Sequence, residues 1–225
     1  MTSLPGAAGQ REVVIPAGTA RLPGTLAWPI DPLGAVLFVH GSGSGRLSPR
    51  NAAVAEQLRA AGVTTLLFDL LTEAEGQDRR NVFDIEFLAG RLLEVTEWLA
   101  RQPEVVGLGF GYFGASTGAA AALKAAASRT DIGAVVSRGG RPDLAGSALR
   151  RVLAPTLLLV GSHDPTVLQL NRTALAQLTC LKQLVVIPRA SHLFQEPGTL
   201  MEAAGYAARW FVHYLAKQPT KVGPS

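Results

Sequence analysis

Gly114-Ala115-Ser116-Thr117-Gly118 stands between a short apolar run, Val105–Phe110, and an alanine-rich stretch of helix length, Ser116–Ser128. A serine on a sharp strand-to-helix turn adopts strained dihedrals, and side chains two positions either side of it would collide, so glycine belongs at both. The rest of the chain repeats the same strand-then-helix pattern. Upstream, Ala35–His40 is apolar on both faces and predicts a buried strand. Pro49–Ala61 then predicts a helix closed by Gly62, Val63–Phe68 a strand, and Asp84–Arg101 a long helix. Downstream, Ile132–Ser137, Thr156–Val160 and Gln183–Ile187 predict strands, with helices over Thr166–Leu178 and Thr199–Lys217. The opening runs, Glu12–Pro16 and Arg21–Trp28, predict a hairpin about Ala17–Thr19. Such alternation means an α/β domain: about eight strands in a mostly parallel sheet, helices on both faces, and an antiparallel edge. The domain is expected over residues 11–217, with a flexible start (1–10) and a flexible tail (218–225).

Composition narrows the function. A chain of 225 residues with 48% hydrophobic and 17% charged residues is neither disordered nor a coiled coil. No apolar run approaches a membrane span, and Met1–Gln10 has neither a basic start nor an apolar core. A cytoplasmic protein without a membrane partner is therefore expected. The net charge is +4, but the arginines are scattered rather than clustered with aromatics, so no nucleic-acid partner is expected either. Cys180 stands alone, and no pair of histidines has ligand spacing, so no disulfide, metal or other cofactor is expected. Assembly as a homodimer stays open.

In a sheet of this kind ligands gather beyond the carboxyl ends of the strands. Four places follow strands directly and carry reactive groups: His40–Gly45, Gly114–Gly118, Ser162–Asp164 and Ala190–His192. A serine alcohol needs a base to take its proton, and the base needs an acid to hold its tautomer. Ser116, Asp164 and His192 occur in that order with whole strand–helix units between them, so all three can meet at one rim. Asp143 is a spare acid; His40, His163 and His213 are rival bases, with His40 placed to brace the glycine loop by hydrogen bonds. That loop, His40-Gly41-Ser42-Gly43-Ser44-Gly45, offers backbone N–H groups to a developing oxyanion. The expected donors are the amide of Thr117, directly after the nucleophile, and that of Ser42 or Gly43.

With these residues the chain resembles an α/β-hydrolase, nearest to the small, cap-less, dienelactone-hydrolase-like branch. The resemblance covers about residues 12–217 and rests on His40–Gly43, Gly114–Gly118, Asp164 and His192. It implies a Ser116–His192–Asp164 triad that cleaves a small-molecule ester or lactone through an acyl-enzyme. The namesake enzymes use a cysteine nucleophile where this chain has Ser116, which favours a serine esterase over dienelactone itself. Residues 138–155, between two predicted strands, suffice for one short helix and no cap domain, so the site is expected to be open and to suit short acyl chains.

Three further features bear on function. Arg138 and Arg141 follow a strand on the site's side, as a clamp for a substrate carboxylate or phosphate or as salt-bridge partners of Asp143 or a neighbouring loop. Asp69–Val82 is polar and forms either a flap over the site or a solvated loop. Gly109-Phe110-Gly111-Tyr112-Phe113-Gly114 fits G-x-G-x-x-G, the fingerprint of an NADP-binding oxidoreductase, although bulky aromatics fill it and Asp164 and His192 stay unexplained. A hydrolase-like binding protein without catalysis is the remaining alternative.

Overall fold

The computed structural model describes residues 7–216. Eight strands form one sheet: β1 (Gly9–Ala17), β2 (Ala20–Trp28), β3 (Gly34–Val39), β4 (Val63–Phe68), β5 (Phe110–Ala115), β6 (Ile132–Arg138), β7 (Thr156–Gly161) and β8 (Lys182–Ile187). Their spatial order is β1-β2-β4-β3-β5-β6-β7-β8. β1 and β2 form the expected hairpin, in register from Gly9 opposite Trp28 to Ala17 opposite Ala20, and β2 runs antiparallel to β4. Every later pair is parallel. The helices are α1 (Pro49–Ala60), two short turns α2 (Glu73–Gly76) and α3 (Arg79–Phe83), then α4 (Ile85–Leu99), α5 (Thr117–Ala126), α6 (Pro165–Gln177) and α7 (Thr199–Leu215).

The parallel strands β3, β5, β6 and β7 are buried along their whole length, because helices cover both faces. On one face Leu92, Val95 and Leu99 of α4, Leu123 of α5 and Ala174 of α6 meet Leu37, Tyr112 and Val135 of the sheet. On the other, Val54 and Leu58 of α1 and Ala207 and Phe211 of α7 meet Phe38, Phe113 and Leu159. Two apolar layers thus clamp the central strands and leave their carboxyl ends to the loops.

One strand lies five residues beyond its expected place. Val105–Phe110 is not β5; Pro103–Val105 is a 3₁₀ turn, and the strand is the glycine-broken Phe110–Ala115. Glycine lowers strand propensity and so hides the element in the sequence, yet close approach requires it here. A Cβ on Gly114 would lie 2.4 Å from Ala119 Cα, and one on Gly111 2.7 Å from the Phe211 ring. The shift also disposes of the dinucleotide reading. Five of the six residues of Gly109–Gly114 belong to β5 and are paired to both β3 and β6, not a loop whose amides could cradle a pyrophosphate.

β1 starts at Gly9, so the flexible start expected through Gln10 does not extend that far; residues 1–6 and the expected tail 218–225 lie outside the described residues. After β6 the chain forms 3₁₀ turns, Pro142–Arg151, kinked at Gly146 and buried against α5 and α6 through Ala145 and Leu149. No domain is inserted there, as the length of 138–155 implied.

The second elbow glycine is as constrained as the first. A Cβ on Gly118 would sit 2.1 Å from the Val39 carbonyl oxygen and 2.5 Å from that of His40, both backbone atoms with no rotamer to escape into. Gly118→Ala is therefore expected to cost about 2–3 kcal/mol and to lower the melting temperature by roughly 4–10 °C. Gly76→Ala, with nothing within 4 Å, should leave the melting temperature unchanged; circular dichroism melts of the two variants make the comparison.

Candidate active site

Ser116 sits between β5 and α5 with φ 50° and ψ −127°. A non-glycine residue held there costs about 1–3 kcal/mol, and such strain concentrates where a side chain must be presented for function. The serine precedes α5 but makes no capping hydrogen bond, so helix capping is not its role. Gly41 crosses directly over it: a Cβ on Gly41 would lie 2.6 Å from Ser116 Cβ and 3.3 Å from Ser116 Oγ.

Asp164 and His192 come together as expected. His192 Nδ1 lies 2.7 Å from Asp164 Oδ2, and Asp164 Oδ1 accepts the Val167 amide at 3.3 Å as the N-cap of α6. The carboxylate side chain is 14% exposed and the imidazole 41%, so a sheltered acid holds a ring that reaches solvent. With Nδ1 donating to the carboxylate, Nε2 is left with its lone pair. The loops carrying the two residues are laced together: His163 N donates to Ala190 O at 2.9 Å and Arg189 N to Ser162 Oγ at 2.8 Å. Ser116 and His192 line one cavity of about 290 Å³.

The glycine loop is built as expected, with one difference. His40 Nδ1 donates to Gly41 O at 3.1 Å, and its Nε2 accepts the Leu70 amide at 3.0 Å, so both nitrogens are spent on bracing the loop. Asp69 Oδ1 accepts the Arg46 amide at 2.7 Å from the other side. The amide of Ser42, however, is not open: it donates to Thr117 Oγ1 at 3.0 Å. An oxygen that is to use this amide must share it with, or displace, the threonine hydroxyl. Gly43 follows at φ 71°.

The other candidates separate. Arg141 is bound to Asp143 by a forked pair at 2.8–3.2 Å, which occupies both the second clamp residue and the spare acid. Arg138 instead lines the cavity with Ser116 and His192 and is 8% exposed. His163 is exposed, and His213 lies edge-on to Tyr214 on α7. Residues 69–83 are neither a free flap nor a plain loop. They form α2 and α3, held by the Thr72–Glu75 capping box and a Glu75–Arg91 ion pair at 2.8 Å. With Leu70, Leu71, Val82 and Leu88 they wall a cavity of about 500 Å³ whose opposite side is the Gly41–Ser44 loop. Two residues that sequence reasoning missed belong to the site. Arg50 lines the Ser116 cavity, and Asn51 Oδ1 accepts from Arg138 Nη2 at 3.3 Å. The stretch Ser48-Pro49-Arg50-Asn51 reads only as a helix start, and a basic residue in that first turn was the one available signal.

Among the described residues no group of three His, Cys, Asp or Glu side chains is placed to hold a metal, and no helix is long and apolar enough to cross a membrane.

Burial holds the His40 imidazole below its ordinary value of 6.5, against the smaller opposing pull of the Gly41 carbonyl and Asp69. As pH falls the unfolded chain therefore takes up this proton first, so the contribution of His40 to stability is complete above 6.5 and declines below it. The urea midpoint is expected to fall between pH 7 and 5.5, and His40→Asn should flatten that slope while lowering stability throughout.

No family model matches the chain. It is 57% identical over 205 residues to proteins of two Mycobacterium tuberculosis strains that carry the provisional name phosphoribosyl transferase; the match takes in 91% of this chain but 46% of theirs, so the chain spans less than half their length. Among solved structures, a dienelactone hydrolase from Anabaena variabilis is 54% identical, with a TM-score of 0.90, over 92% of this chain and 99% of that one. Est1E from Butyrivibrio proteoclasticus shares the fold at 17% identity, with a TM-score of 0.77 over 92% of this chain and 99% of its own. A strained serine at the centre of a mostly parallel eight-stranded sheet, a histidine joined to an aspartate at its rim, and a full-length relative of this identity lead to one conclusion: the chain belongs to the dienelactone hydrolase family of cap-less α/β-hydrolases.

Proposed function

We propose that this protein hydrolyses carboxylic esters or lactones through an acyl-enzyme on Ser116. The observation that carries the reading is the His192–Asp164 hydrogen bond of 2.7 Å at the mouth of the cavity that Ser116 also lines. Ser116 Oγ attacks the carbonyl carbon as His192 Nε2 takes its proton. Asp164 stays ionised and stabilises the imidazolium, and the tetrahedral oxyanion rests against the Thr117 amide and the Ser42–Gly43 loop. Collapse expels the alkoxide, which receives the proton from His192. A water activated by the same ring then releases the acid and restores the serine; in a lactone the leaving alcohol stays attached to the acyl chain.

The hydrolase name of the Anabaena relative supports this reading. The transferase name belongs to proteins more than half of whose length lies outside the match, and nothing in the geometry of this site favours it. The absence of an inserted cap favours short acyl chains, with the neighbouring cavity as room for a modest apolar group.

Ser116→Ala should abolish ester hydrolysis and labelling by a fluorophosphonate, while Asp164→Asn should lower kcat by about 10³–10⁴-fold by releasing the ring's tautomer. In a p-nitrophenyl ester series C2–C4 chains should exceed C12. A fully active Ser116→Ala protein would sink the proposal.

A further inference from the structure

The strap formed by α2 and α3 walls the cavity of about 500 Å³ beside the glycine loop, yet no residue from Thr72 to Phe83 is buried. Apolar packing therefore does little to hold it in place. Its two ends are pinned. The Leu70 amide donates to His40 Nε2 at 3.0 Å, and Asp84 Oδ1 accepts the Phe87 amide at 3.0 Å as the N-cap of α4. Between these points Glu75 links the strap to the body of the protein. Its Oε1 accepts from Arg91 Nη2 of α4 at 2.8 Å. Among the described residues no other strap side chain makes a hydrogen bond or ion pair to α4 or the sheet.

Glu75 also holds the strap together. Its Oε2 accepts the Thr72 amide at 2.8 Å, and its carbonyl accepts from Asn81 Nδ2 at 3.0 Å, which ties α3 to α2. Arg91 is a firm peg for this load: it is 8% exposed, and its guanidinium lies over the Phe87 ring at 5.0 Å. Sheltered on the arginine side, the pair is worth more than a fully exposed one. The cavity it keeps walled has a place in the proposed reaction. His192 must hand its proton to the leaving oxygen, so the alcohol arm lies in the cavity that His192 shares with Ser116. Gly41–Ser44 line both cavities. A carbonyl held against that loop directs its other arm past it, toward Leu70, Leu71, Val82 and Leu88.

We infer that an apolar acyl arm of the substrate lies under the α2–α3 strap, and that Glu75 and Arg91 are positioning residues that keep the strap closed over it. Neither touches the reacting atoms. They act through Leu71 and Val82, which the closed strap holds against the acyl chain. The selected ester is therefore one whose bulk sits on the acyl side of the carbonyl, with a small alcohol. This inference rests on the hydrolase reading and names the class of ester that reading leaves open.

Ethyl hexanoate and hexyl acetate are isomers that carry the same chain on opposite sides of the carbonyl, and the test takes the ratio of their kcat/KM values. Wild type should favour ethyl hexanoate. Glu75→Gln removes the charge but keeps the capping box, which takes Gln as well as Glu. It should lower the ratio by about 5-fold or more, through KM rather than kcat, as should Arg91→Met. Glu97→Gln, which breaks the pair between α4 and Arg129 away from the cavity, should leave the ratio within about 2-fold. If Arg91→Met fails to fold, Glu75→Gln, at a half-buried position on the strap, decides the matter. Trypsin cleavage after the exposed Arg79 and Arg80 reports on the strap without turnover. It should be about 10-fold faster in Glu75→Gln, and hexanoate should slow it in wild type and Ser116→Ala alike. A wild type that prefers hexyl acetate, a ratio that neither latch variant lowers, or cleavage that hexanoate does not slow overturns the inference. If neither ester is turned over, the hydrolase reading fails separately, and proteolysis still decides whether hexanoate lies under the strap.

Discussion

The site depends on a contact between backbones. Gly118, at the start of α5, lies against the carbonyls of Val39 and His40 so closely that no side chain fits between them, and Gly114 meets the Cα of Ala119 in the same way. This double approach presses the helix onto the ends of β3 and β5 and leaves Ser116 no relaxed conformation. The strain is borne by packing on both faces of the sheet, where Leu123, Phe38 and Phe113 are all but fully buried. The same contact brings Gly41 over the serine and sets the glycine loop beside Thr117. Ser116 and the glycine loop beside Thr117 are thus positioned by one piece of main-chain packing rather than by side-chain adjustment.

Electrostatics divides the rim in two. On one side the sheltered Asp164 orients His192. On the other, Arg138 reaches only neutral partners, Asn51 and the Phe113 and Phe194 rings, and neither it nor Arg50 has an ion pair among the described residues, while the neighbouring Arg141 is paired with Asp143. Two arginines three residues apart therefore have opposite fates. The difference lies in where the strand ends: Arg138 is still part of β6 and its side chain passes into the layer below the site, whereas Arg141 has turned out to the surface of the following 3₁₀ segment.

The order of strands and helices and the meeting of Asp164 with His192 were readable because each rests on local pattern or on chemistry that tolerates few residue types. Ala35–Val39 and Val63–Phe68 are apolar and β-branched or aromatic enough to be read as strands directly. Phe110–Ala115 was not, because its glycines answer to Phe211 and Ala119, contacts distant in sequence that no local propensity reports. The split between Arg138 and Arg141, the place of Arg50 on the Ser116 cavity and the threonine acceptor on the Ser42 amide were hidden for the same reason. Each is a matter of which groups face one another after folding.

The strand order carries one more consequence. Ser116 rises from the middle of the sheet, but the loops bearing Asp164 and His192 hang from β7 and β8, and β8 is the outermost strand, half open to solvent along most of its length. An edge with so little cover opens at a lower free energy than the centre. The loops that carry Asp164 and His192 are therefore expected to open before the centre of the sheet. On the proposed hydrolase reading, mild heating is expected to release the His192 arm while Ser116 stays on an intact platform, so activity should fall before the fold collapses.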